Sequence, residues 1–242
     1  MSVFSSVFSV FAGLVEHLAD LLQPLFHASA AAAAIVLFTA LVRLLVHPLS
    51  RAAARGQRAR AELQPRIAEL RRKHAEDPQR LQRAVLDLHA EEQVSPLSGC
   101  LPGLLQLPAF FLLYHLFSSS TIGGGADGLL SHQLLGAPLG GKWADALGAG
   151  GPFGAAGLVY LGLFALVAAV AAFNYRRTKR TMADSPVAVG AGQAPGLGVI
   201  NKVMPFMSFF TLVTVAVVPL AAALYVVTST TWSAAERAFL YR

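Results

Sequence analysis

A chain of 242 residues that is 55% hydrophobic and only 13% charged lacks the makeup of a soluble domain, in which about a quarter of the residues are charged. Its net charge of +6 does not indicate a specific nucleic-acid partner, because most Lys and Arg lie in two stretches, 51–83 and 176–202, set between apolar blocks. Basic stretches of that kind are typical of the cytoplasmic loops of membrane proteins.

The apolar blocks run roughly 18–22 residues, long enough to cross a ~30 Å hydrocarbon layer as helices. They lack the period-2 alternation of a membrane β-barrel. The lipid bilayer is therefore the first partner the chain calls for. The single cysteine, Cys100, lies inside an apolar block, so no intramolecular disulfide and no cysteine-based metal cluster is expected. The seven histidines are scattered, and neither a metal site nor a cofactor is expected.

In chain order, residues 1–26 place Phe4, Val7, Phe8, Phe11, Leu14, Val15, Leu18, Leu22 and Leu25 at helical spacing. Ser5, Ser9, Glu16, Asp20 and Gln23 fall largely elsewhere. The pattern predicts an amphipathic helix in the external interface, and Glu16 and Asp20 weigh against a sixth span. Residues 1–15 hold no Lys or Arg, so the basic n-region of a signal peptide is not expected. A first transmembrane helix follows over 27–48, with Pro48 expected to end it. Residues 49–96 are polar and predict a cytoplasmic helical hairpin, broken at Asp77-Pro78. Its narrow apolar seam is Leu63, Ile67 and Leu70 before the break and Leu81, Val85, Leu88 and Glu92 after it.

Residues 97–117 form the second span, 118–152 a Gly- and Ser-rich external loop, and 153–173 the third span. Residues 174–202 form a cytoplasmic loop. The remaining apolar stretch is divided by Pro219 into two short helices joined by a tight turn, 203–218 and 219–238, with a short cytoplasmic tail at 239–242. The fold class is all-α: a polytopic membrane protein with five transmembrane helices and a cytoplasmic helical hairpin. Residues 49–96 carry ten Lys and Arg, 174–202 carry five and 118–152 carry one. That bias sets the first two segments in the cytoplasm, with the N-terminus outside and the C-terminus inside. The expected location is the bacterial plasma (inner) membrane.

Arg43 is the most informative residue within a span. An arginine at a helix centre costs about 2.5–3.5 kcal/mol on insertion scales, and one near the helix end can snorkel to the interface. Thr39, Arg43 and His47 are spaced i, i+4, i+8 and form one polar stripe. In the last helix Tyr225, Ser229, Trp232 and Glu236 form another, and Ser208, Thr211 and Thr214 recur in the fourth. Gln106 is the lone amide of the second. Each stripe alone has a plain reading, since Ser and Thr commonly bond their own helix carbonyls. Together, with no buried acid expected near Arg43, they predict a shared wet cavity holding an unpaired positive charge. HExxH, GxSxG and Walker patterns are all missing from the sequence, so an enzyme is not expected. The spans lack the buried acids that ion-coupled transport normally uses.

These residues resemble the YidC/Oxa/Alb membrane insertase family. Residues 37–50, LFTALVRLLVHPLS, look like the first core span with its arginine and closing Pro-Leu. Residues 96–116 carry the most specific match, in Pro96, Gly99, Cys100, Leu101, Pro102, Gln106, Pro108, Phe110, Leu113 and Tyr114. Residues 202–232 add Met204-Pro205, Pro219, Leu224-Tyr225 and Trp232. The last helix departs from the pattern. Pro219-Leu220-Ala221-Ala222 stands where Pro-x-Gly-Leu is frequent, and Glu236-Arg237 where paired Gln is usual.

The resemblance implies a hydrophilic groove, open to cytoplasm and lipid and closed externally. It would be lined by Arg43, Thr39, Gln106, Asn174, Tyr225 and Ser229. It also implies a hairpin that meets the arriving client through Arg66, Arg71, Arg72 and Lys73. The implied function is insertion and folding of nascent membrane proteins without nucleotide hydrolysis, with the Sec translocon and the ribosome as candidate further partners. An assembly chaperone lacking independent insertase activity, or a small channel or transporter, are the alternative readings.

Overall fold

The computed structural model describes residues 2–94, 132–183 and 203–240. The described chain is almost entirely helical. Helix α1, Ser2–Phe26, turns back through a 3-10 segment, His27–Ser29, into α2, Ala30–Glu62, against which it packs. His27 takes a positive φ of 45° in this turn. Val15 and Ala19 of α1 enter the same buried cluster as Ala31, Ala34 and Ile35 of α2. Val10, Leu14, Leu21 and Leu25 stay exposed on an adjoining sector of α1. The apolar surface of α1 is therefore wider than one packing stripe needs.

Helix α2 runs straight through Pro48, where the sequence predicts a stop. Proline removes one intrahelical hydrogen bond and crowds the carbonyl one turn back. Here its ring lies on an exposed face, and the residues from Leu49 to Glu62 are rich in strong helix formers, Ala, Arg, Gln and Leu. The flanking turns therefore carry the helix past the defect. The polar segment begins as a continuation of the first apolar helix.

Beyond it, α3, Gln64–Lys73, and α4, Pro78–Glu91, form the hairpin. Leu63, Ile67 and Leu88 are buried in its small core, with Leu70, Val85 and Val94 packed against them. Glu92, expected on the seam, instead lies in the open and pairs with Arg66. Asp77 caps α4, its Oδ1 accepting from the N–H groups of Gln79 at 3.1 Å and Arg80 at 3.0 Å.

The expected external loop is built rather than irregular over its described part. Gln133–Leu134 pairs antiparallel with Ala137–Pro138. The two turn residues, Leu135 and Gly136, both take positive φ, 51° and 88°, as the tight primed hairpin turn demands. Helix α5, Trp143–Gly150, follows, and Asp145 Oδ2 accepts from the Lys142 N–H at 2.8 Å. Short-range capping bonds of this kind order a stretch whose composition reads as loop.

Helix α6, Ala155–Ala183, precedes a 3-10 segment, Met204–Phe209, and a short α7, Phe210–Val217. Tyr175 of α6 packs its ring against Phe206 and Phe209, at 5.1 and 6.2 Å between centroids. A 3-10 rise of ~2.0 Å and an α rise of ~1.5 Å per residue give 204–217 a reach of roughly 24 Å. Val218 is extended, and Pro219 leads into α8, Leu220–Leu240. Of the two helices that flank Pro219, the last is thus full length and only α7 is short.

By length and apolarity two helices among the described residues qualify to cross a bilayer, one within Gly13–Lys73 and one at Ala155–Arg180, with Pro205–Val217 a shorter apolar helix. The main core gathers where α1, α2, α6 and α8 meet the strand pair and α5. Helix α8 is buried on every side from Leu220 to Val227. Its first N–H groups are capped by the preceding loop: Leu220 donates to the Gly141 carbonyl at 2.8 Å and Ala221 to the Leu139 carbonyl at 2.9 Å. Tyr160 of α6 donates its hydroxyl to the same Gly141 carbonyl at 2.6 Å, and the Trp143 ring meets Tyr160 and Phe164 edge-on.

Two outcomes follow from this packing. Leu139→Ala, at a side chain with no exposure, should lower stability by about 2–5 kcal/mol, read as a fall in the melting temperature of the detergent-solubilised protein. Asp77→Ala should weaken the start of α4 by about 1 kcal/mol. Hydrogen exchange should then quicken in the first turn of α4 and stay unchanged in α6 and α8.

Candidate functional site

Two of the polar stripes meet. Thr39, Arg43 and His47 on α2 and Tyr225, Ser229, Trp232 and Glu236 on α8 lie on helices that pack together. Arg43 Nη2 donates to Ser229 Oγ. One turn further along α2, His47 Nδ1 lies 2.8 Å from Glu236 Oε1. An ionised carboxylate only accepts, so the imidazole N–H donates. Residue numbers increase together in the two pairs, so α2 and α8 run parallel here, with the site on their shared seam.

The burial pattern places these groups at a boundary. Ala30, Ala31, Ala32, Ala34, Ile35 and Thr39 of α2 are buried, while none of residues 40–53 is. On α8, burial continues through Tyr225 and Ser229 to Ala234. Arg43 is half-buried, at the point where the packed end of the bundle gives way to the open end. Tyr225, Glu236 and Arg237 all stand close enough to Arg43 to act on it electrostatically.

The plain reading of Ser and Thr holds for two stripe residues, Thr39 and Thr214, and for Thr230 and Ser233 beside the stripe of α8. Thr39 Oγ1 donates to the Ile35 carbonyl at 2.7 Å, Thr214 to Phe210, Thr230 to Val226 and Ser233 to Ser229. Each thus donates to a carbonyl of its own helix. Ser229 is different, because its hydroxyl receives the guanidinium of another helix. Asn174 lies on α6, and its buried Oδ1 has no hydrogen-bond partner; nor have the buried Thr231 Oγ1 and Trp232 Nε1. Gln106 and its motif, with the rest of the expected second span, lie outside the described residues. Arg66, Arg71, Arg72 and Lys73 are all exposed on α3; Arg66 pairs with Glu92, and the other three occupy the last turn, where cations suit the helix dipole.

One expectation is corrected. An acid does approach Arg43: Glu236, whose side chain is only 13% exposed. The charge pattern alone misses this because Glu236 lies close to the chain end. The spacing within each stripe does not find it alone, because the pairing depends on how α2 and α8 are rotated toward one another. Arg43 and His47 are one turn apart, Ser229 and Glu236 two turns apart, and two parallel helices bring those faces together. Among the described residues no three His, Cys, Asp or Glu side chains gather as a metal site would require.

Comparison with known proteins places the chain. A family model described as "60Kd inner membrane protein" matches residues 22–242. A protein of Clostridium perfringens named "Membrane protein insertase YidC" is 42% identical over 87 residues, 36% of this chain and 37% of that protein. One of the same name from Cupriavidus pinatubonensis is 33% identical over 176 residues, 73% of this chain and 27% of that protein. A third, from Polynucleobacter asymbioticus, is 36% identical over 104 residues, 43% of this chain and 19% of that protein. The matches thus span 19% to 37% of these relatives' own lengths. With its apolar helices, the chain is an inner-membrane protein, and it belongs to the 60Kd inner membrane protein family, the YidC/Oxa1 family its motifs resemble.

Proposed function

We propose that the chain is a membrane protein insertase and chaperone, taking nascent membrane proteins into the bilayer through a positively charged groove between α2 and α8. The observation that carries this reading is the Arg43–Ser229 bond. It holds a cation on the seam of two apolar helices through a neutral partner, so the charge remains available to an acidic group. The names of the relatives, each a membrane protein insertase, support the same reading.

In this mechanism a client's short external segment enters the groove from the cytoplasm, drawn by Arg43. Thr39, Tyr225, Ser229 and Asn174 line its path, and the family resemblance adds Gln106, which lies outside the described residues. The fourth helix, at roughly 24 Å, is shorter than a ~30 Å hydrocarbon layer and would thin the bilayer locally, which shortens the polar crossing. The client's apolar segment then moves sideways into lipid, driven by about 25 cal/mol per Å² of apolar surface removed from water. No nucleotide hydrolysis and no covalent step is needed.

Five helices span the membrane in this reading, with the N-terminus outside and the C-terminus in the cytoplasm. Helix α1 lies in the outer interface, with Leu14, Leu21 and Leu25 toward the acyl chains. The strand pair and α5 close the outer end. Arg66, Arg71, Arg72 and Lys73 of the hairpin meet the arriving client on the cytoplasmic side, alongside the ribosome or the Sec translocon.

The test is insertion into vesicles reconstituted with the purified chain. Arg43→Ala should reduce insertion of a client with an acidic external segment about tenfold more than that of a neutral one, the value of one charge-assisted contact. Equal loss for both clients would remove Arg43 from the mechanism.

A further inference from the structure

A groove that receives acidic segments at Arg43 gains no attraction from an acid of its own, yet Glu236 stands in it. Its side chain is 13% exposed and shares the α8 face that carries Tyr225 and Ser229. The two cationic-type side chains of α2 have different partners. Arg43 donates to a neutral hydroxyl, which cancels none of its charge. His47 holds the carboxylate, 2.8 Å away.

The seam of α2 and α8 therefore presents a positive point, Arg43, at the level of Ser229 and a negative point at the level of Glu236. Seven residues of α-helix separate these levels, a rise of ~10.5 Å. An extended chain covers that distance in about three residues. The face is a fixed charge pattern with a spacing that a client segment has to match.

We propose that Glu236 is a specificity-determining residue of the groove: a client carboxylate is accepted at Arg43, and a second carboxylate three residues away is rejected at Glu236. Segments with an uncharged or basic residue at that spacing are the favoured class. The proposal rests on the groove being the client's path. A merely structural His47–Glu236 tie between α2 and α8 would affect every client alike, whereas a charge pattern discriminates between clients by spacing.

The experiment uses the full chain in vesicles and clients that differ only in the external segment. One carries a single aspartate, the second has another aspartate three residues from the first, and the third has it seven residues away. The native chain should insert the three-residue pair about fivefold less well than the single aspartate, the scale of one screened like-charge contact, and the seven-residue pair nearly as well as the single. Glu236→Gln should bring the ratio for the three-residue pair close to one. If that variant inserts no client, His47→Leu carries the test. It keeps the Glu236 carboxylate and removes the imidazole beside it, so the discrimination should sharpen. An unchanged ratio in a variant that inserts, or equal insertion of all three clients by the native chain, overturns the proposal. Failure of the native chain to insert any client overturns the insertase reading instead.

Discussion

A guanidinium in an apolar helix has to be met by something polar, and the arrangement of α2 and α8 follows from that demand. Moving a cation from water into a low-dielectric setting costs several kcal/mol even after relaxation. Arg43 meets the requirement through Ser229. That bond requires the Ser229 face of α8 to turn toward α2, in agreement with the parallel packing of the two helices. Tyr225, Trp232 and Glu236 then fall on the same seam because they share the Ser229 face. Toward the packed end, Ala221, Ala222 and Ala223 are buried. Small residues there let neighbouring backbones approach closely, which is how helices associate where no hydrophobic drive separates them from lipid.

The two ends of the bundle are satisfied by different means. At the packed end the first N–H groups of α8 go to carbonyls of residues 139 and 141, and Tyr160 adds its hydroxyl to one of them. Backbone polar groups are costly to leave unpaired away from water, so this loop is structurally tied to α8. At the open end the polar groups are side chains. Along the length of α2 and α7 the exposed apolar residues are numerous: Leu37, Leu41, Leu44, Leu45 and Leu49 on α2, and Phe206, Met207, Phe210, Val213 and Val217 around α7. Soluble monomers rarely expose contiguous apolar patches beyond a few hundred Å². Exposed apolar rows of this kind suit an inner-membrane protein.

How far the fold was legible in the sequence depended on the range of the interactions. Apolar blocks and the charge bias between them are local, and they identified a helical membrane protein. The hairpin seam of Leu63, Ile67, Leu70, Val85 and Leu88 followed from spacing and one Asp-Pro break. Pro48 was misread because a proline's effect depends on whether the flanking turns tolerate it. The strand pair and α5 were missed because their short-range turn and capping bonds do not show in composition, and because Leu220 and Ala221, some eighty residues away, add hydrogen bonds to carbonyls 141 and 139. At the site, each stripe was readable alone. Their pairing, and with it the approach of Glu236 to Arg43, depends on the relative rotation of two helices, which no single stripe encodes.

The passage of α2 through Pro48 has a mechanical side. Its 33 residues make a rod of about 50 Å, some 20 Å longer than the apolar layer. The hairpin is therefore carried at the end of the same continuous helix that bears Arg43. Leu63, between α2 and α3 and 5% exposed, is the joint. The hairpin and the charge of Arg43 thus sit on one continuous helix, some twenty residues apart.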